Sequence, residues 1–182
     1  HDVDHPLALI QKSFFRISKN LLADLGMRRD LQLFGKRLMS SLQSCWGDYR
    51  NDPNNTFDFL MRVSEQFNIK SHFFFIAGHS AIEFDGHYSL DMPWIRKLMR
   101  SIHERGHKIG LHPSYHTYCS PTLLKQEFSK LLQVCEKENI SQDEWGGRHH
   151  YLRWKASETW QHWNDVGLNF DSTLSFADHE GF

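Results

Sequence analysis

The sequence predicts an α/β fold built on a parallel sheet, either closed as a barrel or left open as a doubly wound sheet. Three observations carry that prediction. Helical and strand-like stretches alternate along most of the chain, the pattern of strands joined by crossover helices. Phe73-Phe74-Phe75-Ile76 is a continuous apolar run, as expected of a strand buried on both faces. Lys108-Ile109-Gly110-Leu111 reads as a second buried strand that runs straight into His112, and the carboxyl ends of parallel strands are where α/β barrels carry their chemistry.

The chain opens on the polar cluster His1-Asp2-Val3-Asp4-His5, whose two aspartates should stand at the end of a strand. From about Leu7 to Leu42 the pattern is helical with a break near Gly26. Leu7, Ile10, Phe14, Ile17, Leu21 and Leu22 form one apolar face, and Leu31, Phe34, Leu38 and Leu42 form the next. Trp46 to Asn55, rich in Asp, Asn, Gly and Pro, is a loop. Thr56 reads as the N-cap of a helix that turns Phe59, Leu60, Val63 and Phe67 inward. A strand follows within Lys70 to Ala77. The next helix runs from about Met92 to Glu104, with Ile95, Leu98, Met99 and Ile102 inward and Gly106 as its stop. After the Ile109 strand come a helix from about Pro121 to Glu138, the Trp145 to Tyr151 segment, a helix from about Ser157 to Val166 and a strand near Leu168 to Phe170. No residues precede His1 to form the strand its aspartates should end, and the last strand runs into polar Asp171-Ser172-Thr173. The expectation is therefore a barrel truncated at both ends, or a fragment of a longer protein.

Composition sets bounds on function. At 182 residues and 40% hydrophobic content the chain can bury one substantial core, so residues 1–182 are read as a single domain. A net charge of -1 gives no global attraction to nucleic acid or to an anionic membrane. The local basic cluster Arg28-Arg29 with Lys36-Arg37 reads as a solvated face. No run approaches the roughly 20 apolar residues of a membrane-spanning helix. Cys45, Cys119 and Cys135 lack Cys-x-x-Cys spacing, which fits a reducing compartment such as the cytoplasm better than a disulfide framework or a thiolate zinc site.

Two clusters carry chemistry. Asp2-Val3-Asp4 offers two carboxylates, and His112-Pro113-Ser114-Tyr115-His116 offers two imidazoles at His-x-x-x-His spacing. One carboxylate and two histidines can converge on a divalent ion, leaving the second carboxylate as a base. His1 and His5 read equally well as polar loop residues. His149 and His150 flank Arg148, and adjacent side chains of a strand point to opposite faces, so at most one of them should enter the site. The tryptophans read mostly as core, with Trp154 the best placed to touch a ligand because it trails the Arg148 segment. Asp171, directly after a predicted strand, either orients a site group or closes a turn.

The constellation resembles the polysaccharide deacetylase family, also called the NodB-homology or carbohydrate esterase family 4 enzymes. Asp2-Val3-Asp4 matches its first motif and His112 to His116 its second. Arg148-His149-His150-Tyr151 keeps the Arg and Tyr of the Arg-x-Pro-Tyr third motif but has His150 at the proline position. Phe170-Asp171-Ser172-Thr173-Leu174 with Glu180-Gly181-Phe182 is similar to a fourth, and the histidine of the fifth, the family's general acid, would lie beyond Phe182. The resemblance implies a distorted (β/α) barrel that holds one divalent metal, zinc or else cobalt or nickel. Asp4, His112 and His116 would be its ligands and Asp2 the general base. Arg148 would pair with Asp2 and hold it oriented, and Tyr151 would offer its backbone N–H to the developing oxyanion. His150, Trp154 and Asp171 are the remaining candidates for substrate contact. The implied reaction removes an N-acetyl, or an O-acetyl, group from an amino sugar or polysaccharide. Two alternatives stand beside it: a catalytically silent deacetylase-like module that binds glycan, and a metallophosphoesterase, for which no third Asp/His cluster offers the extra ligands.

Overall fold

The computed structural model describes residues 1–8, 14–44 and 46–174. Ile10, Cys45 and the Glu180-Gly181-Phe182 segment singled out above lie outside the described residues. The chain divides into two compact units, one of His1–Asp4 with Val63–Phe182, the other of His5–Arg62.

The first unit is α/β. Its strands β1 (Asp2–Val3), β2 (His72–Phe75), β3 (Lys108–Leu111), β4 (Gly146–Gly147) and β5 (Phe170–Asp171) form one sheet in the order β1-β2-β3-β4-β5, every neighbouring pair parallel. The order is sequential, without the strand-order reversal of a doubly wound sheet. Asp2 and Val3 themselves pair with Phe74 and Phe75, so the cluster supplies both the strand and, one residue later, Asp4 at its carboxyl end.

Burial follows the apolar runs. Phe73 and Phe75 are fully enclosed and Phe74 nearly so, as the continuous run requires of a strand covered on both faces. Helix α4 (Pro93–Glu104) packs against β3 and buries Ile95, Leu98, Met99 and Ile102, the residues expected from the spacing. Helix α5 (Pro121–Lys137) also packs on β3; it is capped by the Ser120 hydroxyl, which accepts the Leu123 N–H, and it buries Leu124, Phe128, Leu131, Val134 and Cys135. Helix α6 (Glu158–Val166) turns Trp163 inward and ends at Gly167 in the left-handed conformation.

The second unit contains the helical hairpin α1 (Phe14–Gly26) and α2 (Leu31–Ser44). Its polar centre is Asp24, fully buried, which Arg28 and Arg37 reach at 2.6 and 2.8 Å. Half of the basic cluster is thus tied to a buried carboxylate rather than only solvated, because such a charge needs a partner. Helix α3 (Phe57–Gln66) crosses the division between the units and buries Phe57 and Met61, leaving Phe59, Val63 and Phe67 exposed. The inward face begins one position after Thr56, a phase that the spread of apolar residues left ambiguous. Among the described residues, no helix is long and apolar enough to cross a membrane.

Candidate metal centre

Each part of the site hangs from the carboxyl end of a strand in the first unit. Asp4 follows β1, His112 follows β3, and the Arg148-His149-His150 segment follows β4. Gly147 makes the last placement possible: a Cβ there would lie 1.8 Å from the Leu111 carbonyl oxygen. With glycine in place, the Arg148 N–H donates to Leu111 O and the His150 N–H to Pro113 O, each at 3.1 Å, which lays the segment alongside the loop that carries His112. Gly86 does the same for the loop after β2, since a Cβ would come within 2.2 Å of the Asp4 carbonyl oxygen.

These approaches bring together Asp4, His112 and His150, whose ligand atoms all lie within 4.8 Å of one another. His112 Nε2 stands 3.0 Å and His150 Nε2 3.5 Å from Asp4 Oδ1. Both imidazoles are buried; the Asp4 side chain is about two-fifths exposed, while its Oδ1, which faces both rings, is enclosed. The far nitrogens are engaged: His112 Nδ1 lies on the Arg148 carbonyl, and His150 Nδ1 lies 3.1 Å from Asp85 Oδ1. An imidazole that donates from Nδ1 keeps its lone pair on Nε2, the form in which histidine binds metal. Two such nitrogens and one carboxylate are a donor set that suits zinc, cobalt or nickel.

The second histidine of the His-x-x-x-His pair is not in this group. His116 is exposed, its N–H donates to Ser80 Oγ at 2.8 Å, and its ring lies edge-on to Tyr115. The spacing would bring two rings to one side only in a helical turn, whereas His112 leaves an extended strand and the chain reaches His116 through a loop. His150, read from the sequence as a substrate contact, is the imidazole that joins Asp4 and His112. The one sequence signal was that a histidine, a side chain able to ligate, stands where the third motif of the resembled family has proline.

Asp2 stands beside the group and is less than a third exposed, with Arg148 Nη1 at 3.5 Å from its Oδ2. Arg148 is itself steered by a 3.0 Å bond from Nε to the Ser172 carbonyl. Asp85, missed at the sequence level, is buried and takes the N–H groups of Ala81 at 2.7 Å and Tyr115 at 2.8 Å. Burial pushes its carboxyl pKa upward, but those two donors and His150 outweigh it and leave it below the usual value.

The side chains of the other candidates make different contacts. Tyr151 is exposed with φ of 58° and meets Phe84 and Tyr115 edge to face. Trp154 packs edge-on against Trp160. Asp171 accepts the N–H and hydroxyl of Thr173, whose oxygen in turn takes the His149 N–H at 2.9 Å. It closes a turn and, through Thr173, steadies the backbone beside the site. Burial raises its pKa, the Thr173 bonds opposing. His149 points away into a pocket with Trp163, so of the adjacent pair one ring does enter the site. No protein-family model, curated protein or solved structure matches the chain.

Proposed function

We propose that the protein is a metal-dependent hydrolase that removes an acetyl group from an amino sugar or polysaccharide, on a fold of the polysaccharide deacetylase barrel type. The observation that carries this reading is the convergence of Asp4, His112 and His150 at the carboxyl ends of parallel strands, with the Asp2–Arg148 pair beside them. The sequential order of the parallel strands supports the barrel type of architecture.

Asp4, His112 and His150 would hold the ion, which supplies Lewis-acid polarisation of the acyl carbonyl. Asp2 would take the proton of the attacking water, and Arg148, anchored on Ser172, would hold Asp2 in place. Tyr151 would direct its backbone N–H at the developing oxyanion. The solvent-facing side of Asp4 gives substrate its approach. The catalytically silent module remains the second reading, favoured by the histidine at the third-motif proline position.

The test combines metal analysis with acetate release from an N-acetylated amino-sugar oligosaccharide. The expected result is about one ion per chain, as a three-ligand site requires, and acetate release that chelation abolishes and zinc or cobalt restores. Metal binding without acetate release favours the silent glycan-binding module. A chain that binds no divalent ion overturns both the site and the reaction.

A further inference from the structure

We propose that Asp85 is a positioning residue of the metal centre, which accepts a hydrogen bond from the Nδ1–H of His150 and thereby turns His150 Nε2 toward the ion. The proposal rests on the metal reading above and goes beyond it, because nothing in the motif pattern marks Asp85.

A fully buried carboxylate is costly unless its oxygens are satisfied, and the bonds Asp85 makes reveal what it is for. Oδ2 accepts the Ala81 N–H at 2.7 Å and the Ser80 hydroxyl at 3.4 Å, which closes the turn that leads to Asp85. That turn alone would need only one oxygen. Oδ1 instead accepts the Tyr115 N–H at 2.8 Å and faces His150 Nδ1 at 3.1 Å. One side chain thus ties the loop after β2 to the loop after β3 and to the segment after β4.

The geometry also separates Asp85 from the ligands. It meets the imidazole at Nδ1, whereas Asp4 Oδ1 lies 3.5 Å from Nε2 of the same ring. His112 is held at Nδ1 by a neutral peptide carbonyl, and His150 by a carboxylate. The carboxylate fixes the Nδ1-H tautomer and makes the ligating nitrogen more basic, an effect that commonly contributes 10–100-fold to metal affinity. Asp85 therefore holds the buried His150 ring with its Nε2 toward Asp4.

The test is a double-mutant comparison of zinc affinity, read by competition with a chelator and by the visible spectrum of the cobalt-loaded protein. Asp85→Asn keeps the shape and one acceptor oxygen. It should weaken zinc binding by roughly 10–100-fold in the chain that contains His150 and shift the cobalt bands. In a His150→Ala background the same change should cost nothing further. A purely structural role predicts an equal effect, or none, in both backgrounds, and either result overturns the proposal. If Asp85→Asn does not fold, nitrogen NMR of the zinc-loaded wild-type protein decides: zinc on His150 Nε2 with a proton kept on Nδ1 supports the proposal, and zinc on Nδ1 overturns it. A wild-type chain that binds no zinc or cobalt overturns the metal reading beneath, whereas a wild-type chain that binds while Asp85→Asn binds equally well overturns the role of Asp85 alone.

Discussion

His149 and His150 stand side by side after β4, and both are buried, yet their rings meet different chemistry. His149 Nε2 accepts the indole N–H of Trp163 at 2.7 Å, and its Nδ1 lies 3.5 Å from the Thr117 hydroxyl. Its surroundings are neutral, and burial, reinforced by the imidazoles of His112 and His162, pushes its pKa down to about 3. His150 has a carboxylate at each nitrogen, Asp85 at Nδ1 and Asp4 at Nε2. The contrast shows what would equip a histidine to ligate: neither spacing in the chain nor depth of burial separates the two rings, but only in His150 is one nitrogen fixed by a carboxylate while the other faces a second anionic oxygen.

The strongest way to break this contrast is to remove the rings one at a time. His112→Ala and His150→Ala should each weaken zinc binding by more than the roughly 10–100-fold that an orienting partner contributes, because a ligand is lost rather than loosened. His116→Ala should leave the affinity where it was. Calorimetric titration reads all three, and affinity that survives His150→Ala but falls in His116→Ala would restore the His-x-x-x-His pair as the ligand set.

The two opening carboxylates sharpen the comparison on the acidic side. Asp4 faces both Nε2 atoms, while Asp2 faces Arg148. Asp4→Asn should therefore weaken the metal itself. Asp2→Asn should keep it and reduce acetate release by about 10²–10⁴-fold, the usual contribution of a general base. Equal metal loss in the two variants would show that the division of roles is wrong.

How much of this was legible follows from the range of each signal. The long apolar periodicities of α4 and α5 and the uninterrupted Phe73–Ile76 run gave elements that the structure keeps, because burial of such faces dominates local preference. Asp4 and His112 stood out in the sequence through the Asp-x-Asp spacing and through the buried run that leads straight into His112. His116 falls outside the Asp4–His112–His150 group because the i, i+4 argument assumes a helix, and the chain there is a loop. Asp85 and His150 meet across 65 residues through loops, and no local pattern encodes such a meeting. Of the glycines that permit it, Gly86 looks like an ordinary turn residue until the neighbouring backbone is seen.

A smaller effect lies behind the site, in the support of the loop that carries His112. Glu127, on the inner face of α5, accepts the N–H of Ser114 at 2.9 Å and also the Ser114 hydroxyl. It lines a pocket of about 290 Å³ together with His79, Ser80 and Lys130. Burial pushes its carboxyl pKa up to about 7, the Ser114 donors opposing. A folded-state pKa above the unfolded value of 4.5 means that the stability linked to the protonated form is complete below about 4.5 and is lost as pH rises through about 7. The full swing is on the order of 3 kcal/mol. Glu127→Gln, which cannot ionise, should flatten the pH dependence of denaturant stability between pH 4.5 and 8 relative to the wild type. An unchanged slope would show that the carboxyl ionises freely in the fold.

The smallest effect is the control on the opening contrast. His149→Gln keeps an acceptor within reach of the Trp163 indole but loses the packing of the ring, which lies edge-on to Trp163 with centroids 5.3 Å apart. The cost should be about 1–2 kcal/mol, the scale of a hydrogen bond weakened while its buried donor stays partly satisfied. Chemical denaturation would read it. His149→Ala should cost more, because the indole N–H is then left without its acceptor and a cavity opens beside it. Zinc affinity should not follow stability in either variant, since His149 is absent from the ligand group and its nitrogens face away from Asp4. If zinc binding falls in His149→Gln as far as in His150→Ala, the two rings are not chemically distinct. The segment after β4 would then act on the metal through its backbone placement rather than through the imidazole of His150.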